Sequence, residues 1–167
     1  EVASLRQQAS ELRAQILVFE ETLLLESFAL YEPKFKLNAS HEYKARLDTV
    51  RGRQKAMIKS GEAASGNMSW QVNGSKTEGR KLVNDMLKLV LRSFNNEADY
   101  CVDNVKFNNI ELGEKRIRQS FEACNRLGRV MTVRLSDGYL NLKIEELRLA
   151  HEFQVKKQEE KEEAKRI

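Results

Sequence analysis

The chain has 167 residues, 41% of them hydrophobic and 32% charged, with one proline and eight glycines. That length holds one domain, or one domain plus an extension, and that composition points to a soluble, mostly helical protein. The longest strictly apolar runs, such as Leu23-Leu24-Leu25 and Leu89-Val90-Leu91, are too short to span a bilayer, and there is no signal-peptide pattern.

The net charge of +4 is unevenly spread: residues 41–92 carry eleven basic and five acidic groups, whereas residues 1–40 carry four and six. A local basic excess permits an anionic partner without requiring one. Because it begins at Glu1 and ends inside an apparent helix, the chain is expected to be a piece of a longer protein. Cys101 and Cys124 fall at apolar helical positions, as buried free thiols of a reducing compartment would. His41 and His151 lie far apart, and no Cys/His spacing resembles a metal site.

Residues 1–28 read as a helix in which Val2, Leu5, Ala9, Leu12, Ile16, Phe19 and Leu23 follow the alternating three-four spacing of a heptad seam. We assign 1–29 to a coiled-coil-like lead-in that pairs with its own copy, the alternative being that it lies on the domain, 30–155 to a helical core domain, and 156–167 to a charged helical connector. Pro33 ends the first helix by pushing Glu32 towards an extended conformation, and Tyr31, Phe35 and Leu37 form an extended strap. Ser40 is the expected N-cap of a basic amphipathic helix to about Ser60, with Tyr43, Leu47, Val50, Ala56, Met57 and Ile58 as its apolar positions. Residues 61–74, which hold the only tryptophan, Trp70, read as one long loop.

"SKTE" at 75–78 is a capping box: Ser75 accepts from the Glu78 amide and the Glu78 side chain reaches back to the Ser75 amide. The helix it starts should run to about Lys106, with a turn at Asn108 and Asn109 and a fourth helix over about 110–134. Ser136-Asp137-Gly138 signals a new N-cap and a last helix to the end. Its final stretch, "KKQEEKEEAKRI", has almost no apolar face and pairs opposite charges at three and four spacing, as a stiff solvated connector does.

The third helix carries the sharpest question, since "RSFNNEADYC" at 92–101 sets polar residues within the most apolar part of the chain. At 100° per residue, Val83, Leu87, Val90, Phe94, Ala98, Cys101 and Val105 form one core stripe, while Arg92 and Asp99 point to water. Asn95 and Glu97 fall at the rim of the stripe, where a carboxylate needs a partner. Arg118, Asn125 and Arg129 on the fourth helix are the expected members of a polar network or recognition site with them. Trp70, Gly74, Ser75 and Glu78 are candidates for loop recognition. Arg51, Arg53, Lys55, Lys59, Lys76 and Arg80 are candidates for anion or DNA contacts. "NGSKTEG" is not a phosphate loop, because its Gly-Ser-Lys-Thr order and glycine spacing are wrong. No catalytic set is credible, since the two histidines lack local partners.

In order along the chain, "YEPKF", "SHEYKARL", "RQKAMIKSG", "WQVNGSKTEGRKL", "LRSFNNEADYCVDNVKFNNI", "RIRQSFEACNRLG" and "YLNLKIEELRLAHEFQVKKQEEKEE" resemble a helical domain of unknown function. That domain is found in bacterial and phage proteins ahead of a C-terminal GIY-YIG endonuclease. The resemblance covers about residues 30–163. Its most specific elements are Trp70, Gly74-Ser75, Glu78-Gly79 and Arg92-x-Phe94-Asn95-Asn96-Glu97, and it departs at Ala98, where cysteine is expected. The resemblance implies an all-α fold and a DNA-cleaving parent that acts in defence against phage. It further implies that 156–167 leads to a nuclease domain whose Gly-Ile-Tyr and Tyr-Ile-Gly motifs are absent here.

The expectation is therefore a non-catalytic regulatory or targeting domain that recognises a protein partner from the host membrane or the phage. No cofactor is expected in this fragment, and a divalent metal is expected only in the nuclease domain. Localisation is expected in the bacterial cytoplasm, at the inner-membrane face where a segment outside this chain anchors it. The alternatives are a DNA-binding module that presents substrate, and a scaffold that dimerises through the N-terminal helix.

Overall fold

The computed structural model describes the backbone of residues 1–27 and 34–166, and the side chains of residues 1–17 and 34–166. The chain divides into two units, Glu1–Lys34 and Phe35–Ile167. The first holds helix α1, Val2–Ser27. The break expected at Tyr31, Glu32 and Pro33 lies outside the described residues, as do the side chains of Phe19 and Leu23.

The second unit runs α2 (Ser40–Ser60), β1 (Ala64–Ser65), α3 (Lys76–Asp103), α4 (Ile110–Leu127), a 3₁₀ turn (Arg129–Met131), β2 (Arg134–Leu135) and α5 (Asp137–Arg166). The all-α expectation holds, since among the described residues the only sheet is the two-residue antiparallel ladder Ala64↔Leu135, Ser65↔Arg134. α5 is central: α2 packs on it, and so do α3 and α4, which also pack on each other. Its first half is consequently buried on several faces, at Tyr139, Leu140, Ile144, Leu147, Leu149 and Ala150. The second half leaves that shelter and is mostly exposed. Phe94 anchors the core, with Phe121 of α4 edge-on at 6.1 Å and Tyr139 of α5 tilted at 5.9 Å. Aromatic contacts at these separations contribute beyond the area they bury.

Several boundaries differ from the sequence expectations, each for a local reason. Ser40 is not the cap of α2 but its first residue. Ala39 occupies the cap position, and the Glu42 carboxylate accepts from the Asn38 and Ala39 amides at 2.7 and 3.2 Å. Ser40 instead turns to the far end of α5, where Glu160 accepts from its amide at 2.9 Å and its hydroxyl at 2.8 Å. Ala56 and Ile58 are exposed, and the buried place on that turn of α2 belongs to Gln54.

The 61–74 segment is more structured than a loop. β1 lies within it, and Asn73-Gly74 forms a two-residue turn with both φ positive, at 52° and 79°. Val72 and Ser75 exchange both backbone hydrogen bonds across that turn, at 3.1 and 2.9 Å. This is the Asn-Gly hairpin turn, a signal present in the sequence and not used. The Ser75 amide is thereby committed to Val72, so only one arm of the expected capping box exists: Ser75 Oγ accepts from the Glu78 amide at 3.2 Å. α3 stops at Asp103 rather than Lys106. The Asn109 side chain holds the turn that follows, accepting from the Lys106 amide and donating to the Asn104 carbonyl. α4 stops at Leu127 rather than continuing to 134, because residues 129–135 are used for the 3₁₀ turn and the strand that pins β1.

Candidate functional site

The polar residues of α3 part to two sides of the helix, and the two sides differ in kind. On the side facing α5, Asn95 Oδ1 accepts from the Tyr139 hydroxyl at 2.5 Å, and Asp99 accepts from Lys143 Nζ at 2.8 Å. Lys143 is only 4% exposed, and it also lies 3.5 Å from the buried Glu146 carboxylate. Glu146 in turn accepts from Gln54 Nε2 at 3.0 Å and from Arg51 Nε at 2.8 Å, both on α2. A continuous polar chain thus crosses the unit from α3 through α5 to α2.

Burial alone would pull Lys143 down and Glu146 up. The partners outweigh it in both cases. The Asp99 hydrogen bond and the Glu146 charge raise Lys143 above the usual lysine range. Lys143, Gln54 and Arg51 hold Glu146 below the usual carboxylate range. Such a fully answered network rigidifies and specifies packing, and leaves no group over for chemistry. Asp99, placed in water by its helical angle, is therefore a structural partner even though its own side chain is half exposed.

On the other side, α3 and α4 border an open groove of about 700 Å³. α3 contributes Ser93, Asn96, Glu97 and Tyr100, and α4 contributes Arg116, Gln119, Ser120 and Ala123. Both sets follow i, i+3, i+4, i+7, the spacing of one helical face. The small Ser93, Ser120 and Ala123 keep the helices' flanks open. Glu97 is answered from α4, as expected, but by Arg116 rather than Arg118, Asn125 or Arg129. Arg116 Nε and Nη2 both reach the same carboxylate oxygen, Oε1, at 2.9 and 2.8 Å. The guanidinium lies 5.1 Å from the centre of the Tyr100 ring, and Tyr100 is 54% exposed. The hydrogen bond and charge of Glu97 hold the Arg116 guanidinium in its charged form. Cys101 lies within the field of both charges but is buried, and burial pushes its thiol up, away from a reactive thiolate.

The remaining candidates are dispersed. Arg118 pairs with Glu114 on its own helix, and Arg148 of α5 joins them. Asn125 Oδ1 accepts from the Leu135 amide at 2.8 Å and so fixes β2. Asn125 and Arg129 border a separate hollow with Phe121 and Thr132. The polar stripe chosen on α4 from sequence was thus the flank opposite the groove. Arg116, Gln119 and Ser120 were missed, although their three-four spacing was available.

Trp70 is half-buried, and its carbonyl lies where a side chain at position 79 would have to go: a Cβ there would stand 1.6 Å from the Trp70 oxygen. Gly74, Ser75 and Glu78 serve the hairpin turn and the start of α3. Of the basic set, Arg51 is committed to Glu146, while Arg53, Lys55, Lys59, Lys76 and Arg80 are exposed. Among the described residues no group of three or more His, Cys, Asp or Glu could hold a metal ion. Among them too, no helix is long and apolar enough to cross a membrane.

Comparison with known proteins gives one finding: residues 40–158 match the SNIPE associated domain family. No curated protein and no solved structure matches the chain.

Proposed function

Since the chain belongs to the SNIPE associated domain family, we propose that it is the non-catalytic recognition domain of a GIY-YIG-type nuclease that acts in phage defence. Its α3–α4 groove takes a protein partner, a host-membrane or phage component, and so positions the nuclease at the inner-membrane face of the bacterial cytoplasm. The nuclease part, not this domain, carries the divalent metal. The parent activity rests on the family and on the motif resemblance.

The recognition role rests on one contrast. The polar chain through α5 is closed and fully answered, whereas the groove presents a half-exposed Glu97–Arg116 pair, an exposed Tyr100 and a wall of serine and amide side chains. Tyrosine and arginine are the residues that most often dominate protein interfaces, and a hydrogen-bonding rim around them supplies specificity.

The test is capture from infected and uninfected cells by wild type, Tyr100→Ala and Arg116→Ala, each shown to be folded by circular dichroism. Tyr100→Ala is expected to weaken capture at least tenfold, about 1.4 kcal/mol or more, as for a central interface aromatic. Equal capture by all three chains would remove the groove from the reading.

Five exposed basic residues, Arg53, Lys55, Lys59, Lys76 and Arg80, support a second reading in which the domain holds DNA for the nuclease. Binding of duplex DNA that falls steeply with salt concentration would favour that reading over the first.

A further inference from the structure

The heptad register of α1 places Val2, Ala9 and Ile16 at a positions and Leu5 and Leu12 at d positions. The helix is formed over this stretch, yet Val2, Leu5, Leu12 and Ile16 are between 55% and 64% exposed. A surface helix normally turns such a stripe inward. Within its own unit, among the described residues, nothing covers it.

We propose that α1 pairs with α1 of a second copy as a parallel, in-register, two-stranded coiled coil. Three features of the sequence choose this occupant. β-branched Val2 and Ile16 at a, with Leu5 and Leu12 at d, form the combination that favours two strands over three or four. The flanking charges choose the direction. Glu1 and Gln8 are at g, and Arg6 and Arg13 are at e. In a parallel pair each g residue faces the e residue of the next heptad on the other helix, so Glu1 meets Arg6 and Gln8 meets Arg13, with no like charges across the seam. In an antiparallel pair e faces e, so full overlap of the three heptads sets Arg13 against Arg13 of the other copy at its centre, while Arg6 meets Glu20. Finally, the seam continues in the sequence through Phe19 and Leu23, which lengthens it to three heptads.

Ala9 gives the second a layer little to bury, and three heptads are short, so the pairing depends on concentration. Leu17, exposed at a b position, takes no part in it. The proposal is independent of the partner assigned to the groove, which lies in the other unit.

Sedimentation equilibrium of the whole chain, from low to high micromolar, is expected to show a monomer–dimer equilibrium. Ile16→Lys should hold the chain at monomer mass throughout, and Leu17→Lys should leave the equilibrium as in wild type. Direction is read by Leu5→Cys. In the parallel register the two introduced thiols face each other, so mild oxidation gives a covalent dimer. Wild type, whose Cys101 and Cys124 are buried, does not link. A monomer mass at every concentration overturns the proposal, as does a dimer indifferent to Ile16→Lys. A dimer whose Leu5→Cys form fails to link, while Leu5→Cys/Ile16→Cys links, overturns the parallel register.

Discussion

Two glycines of the same type meet opposite demands. Gly79 lies in the first turns of α3, where glycine ordinarily weakens a helix. It is needed because the chain at Trp70 passes directly over it, with the Trp70 oxygen and the Gln71 Cα filling the space of a side chain. The obstacle is backbone, so no rotamer change relieves it. Gly52, inside α2, has nothing within 4 Å of the position a Cβ would take. Gly79→Ala should therefore cost about 3 kcal/mol, at the upper end for overpacking, while Gly52→Ala should stabilise by about 0.5–1 kcal/mol by narrowing the unfolded ensemble. Urea unfolding of both variants measures the two signs. A neutral Gly79→Ala would mean that the 70–79 crossing does not hold in solution. Glu97 belongs at this scale as well: its place at the rim of the core was readable from its angle to Phe94. Its partner was not, since helical angles say nothing about the rotation of a neighbouring helix.

Among the helices, start and stop signals differ in how much of their chemistry is local. Ser136 was expected to begin α5 and does so, its Oγ accepting from the Tyr139 amide at 3.2 Å. Ser75 begins α3 with a single arm, because the hairpin turn before it has already taken its amide. With only that arm to lose, Ser75→Ala should cost about 1 kcal/mol. Glu78→Ala should change stability much less, because the reciprocal bond is not made. Chemical denaturation of the pair decides between the two geometries: equal losses from both variants would restore the complete box. Ser40 failed as a cap for a non-local reason. Glu160 lies 120 positions away along the chain, and only folding brings its carboxylate to the Ser40 amide. The same pairing shows that the last helix, read from sequence as solvated, is tied to the second unit at least as far as Glu160.

Across the whole second unit, the chain Asp99–Lys143–Glu146–Gln54/Arg51 couples three helices that share little local sequence. Its effect on stability has a definite sign with pH. Glu146 ionises below its unfolded value of 4.5, so its contribution is complete above that pH and is lost as pH falls through the folded-state value. Glu146→Gln should destabilise the protein by about 3 kcal/mol at neutral pH, as breaking a buried pair does. The gap from wild type should close in acid. Stability measured by denaturant titration between about pH 3 and pH 7 checks this, spanning the carboxylate range. A gap that stays constant over that range would show that Glu146 titrates alike in the folded and unfolded states, and so gains nothing from Lys143 and Arg51.

By itself the sequence determined the all-α class, the five helices in order, the core stripe centred on Phe94 and the buried cysteines, because hydrophobic periodicity and capping chemistry are written within one turn or two of each residue. The tertiary structure alone decided that α5 lies between α2 and the α3–α4 pair, that Asn95 answers to Tyr139 while Glu97 answers to Arg116, and that Asp99 neutralises a buried lysine. It also decided which flank of α4 borders the groove. These are matters of which helix faces meet, and a face turned to a neighbour looks the same in one sequence as a face turned to water whenever both carry charged residues.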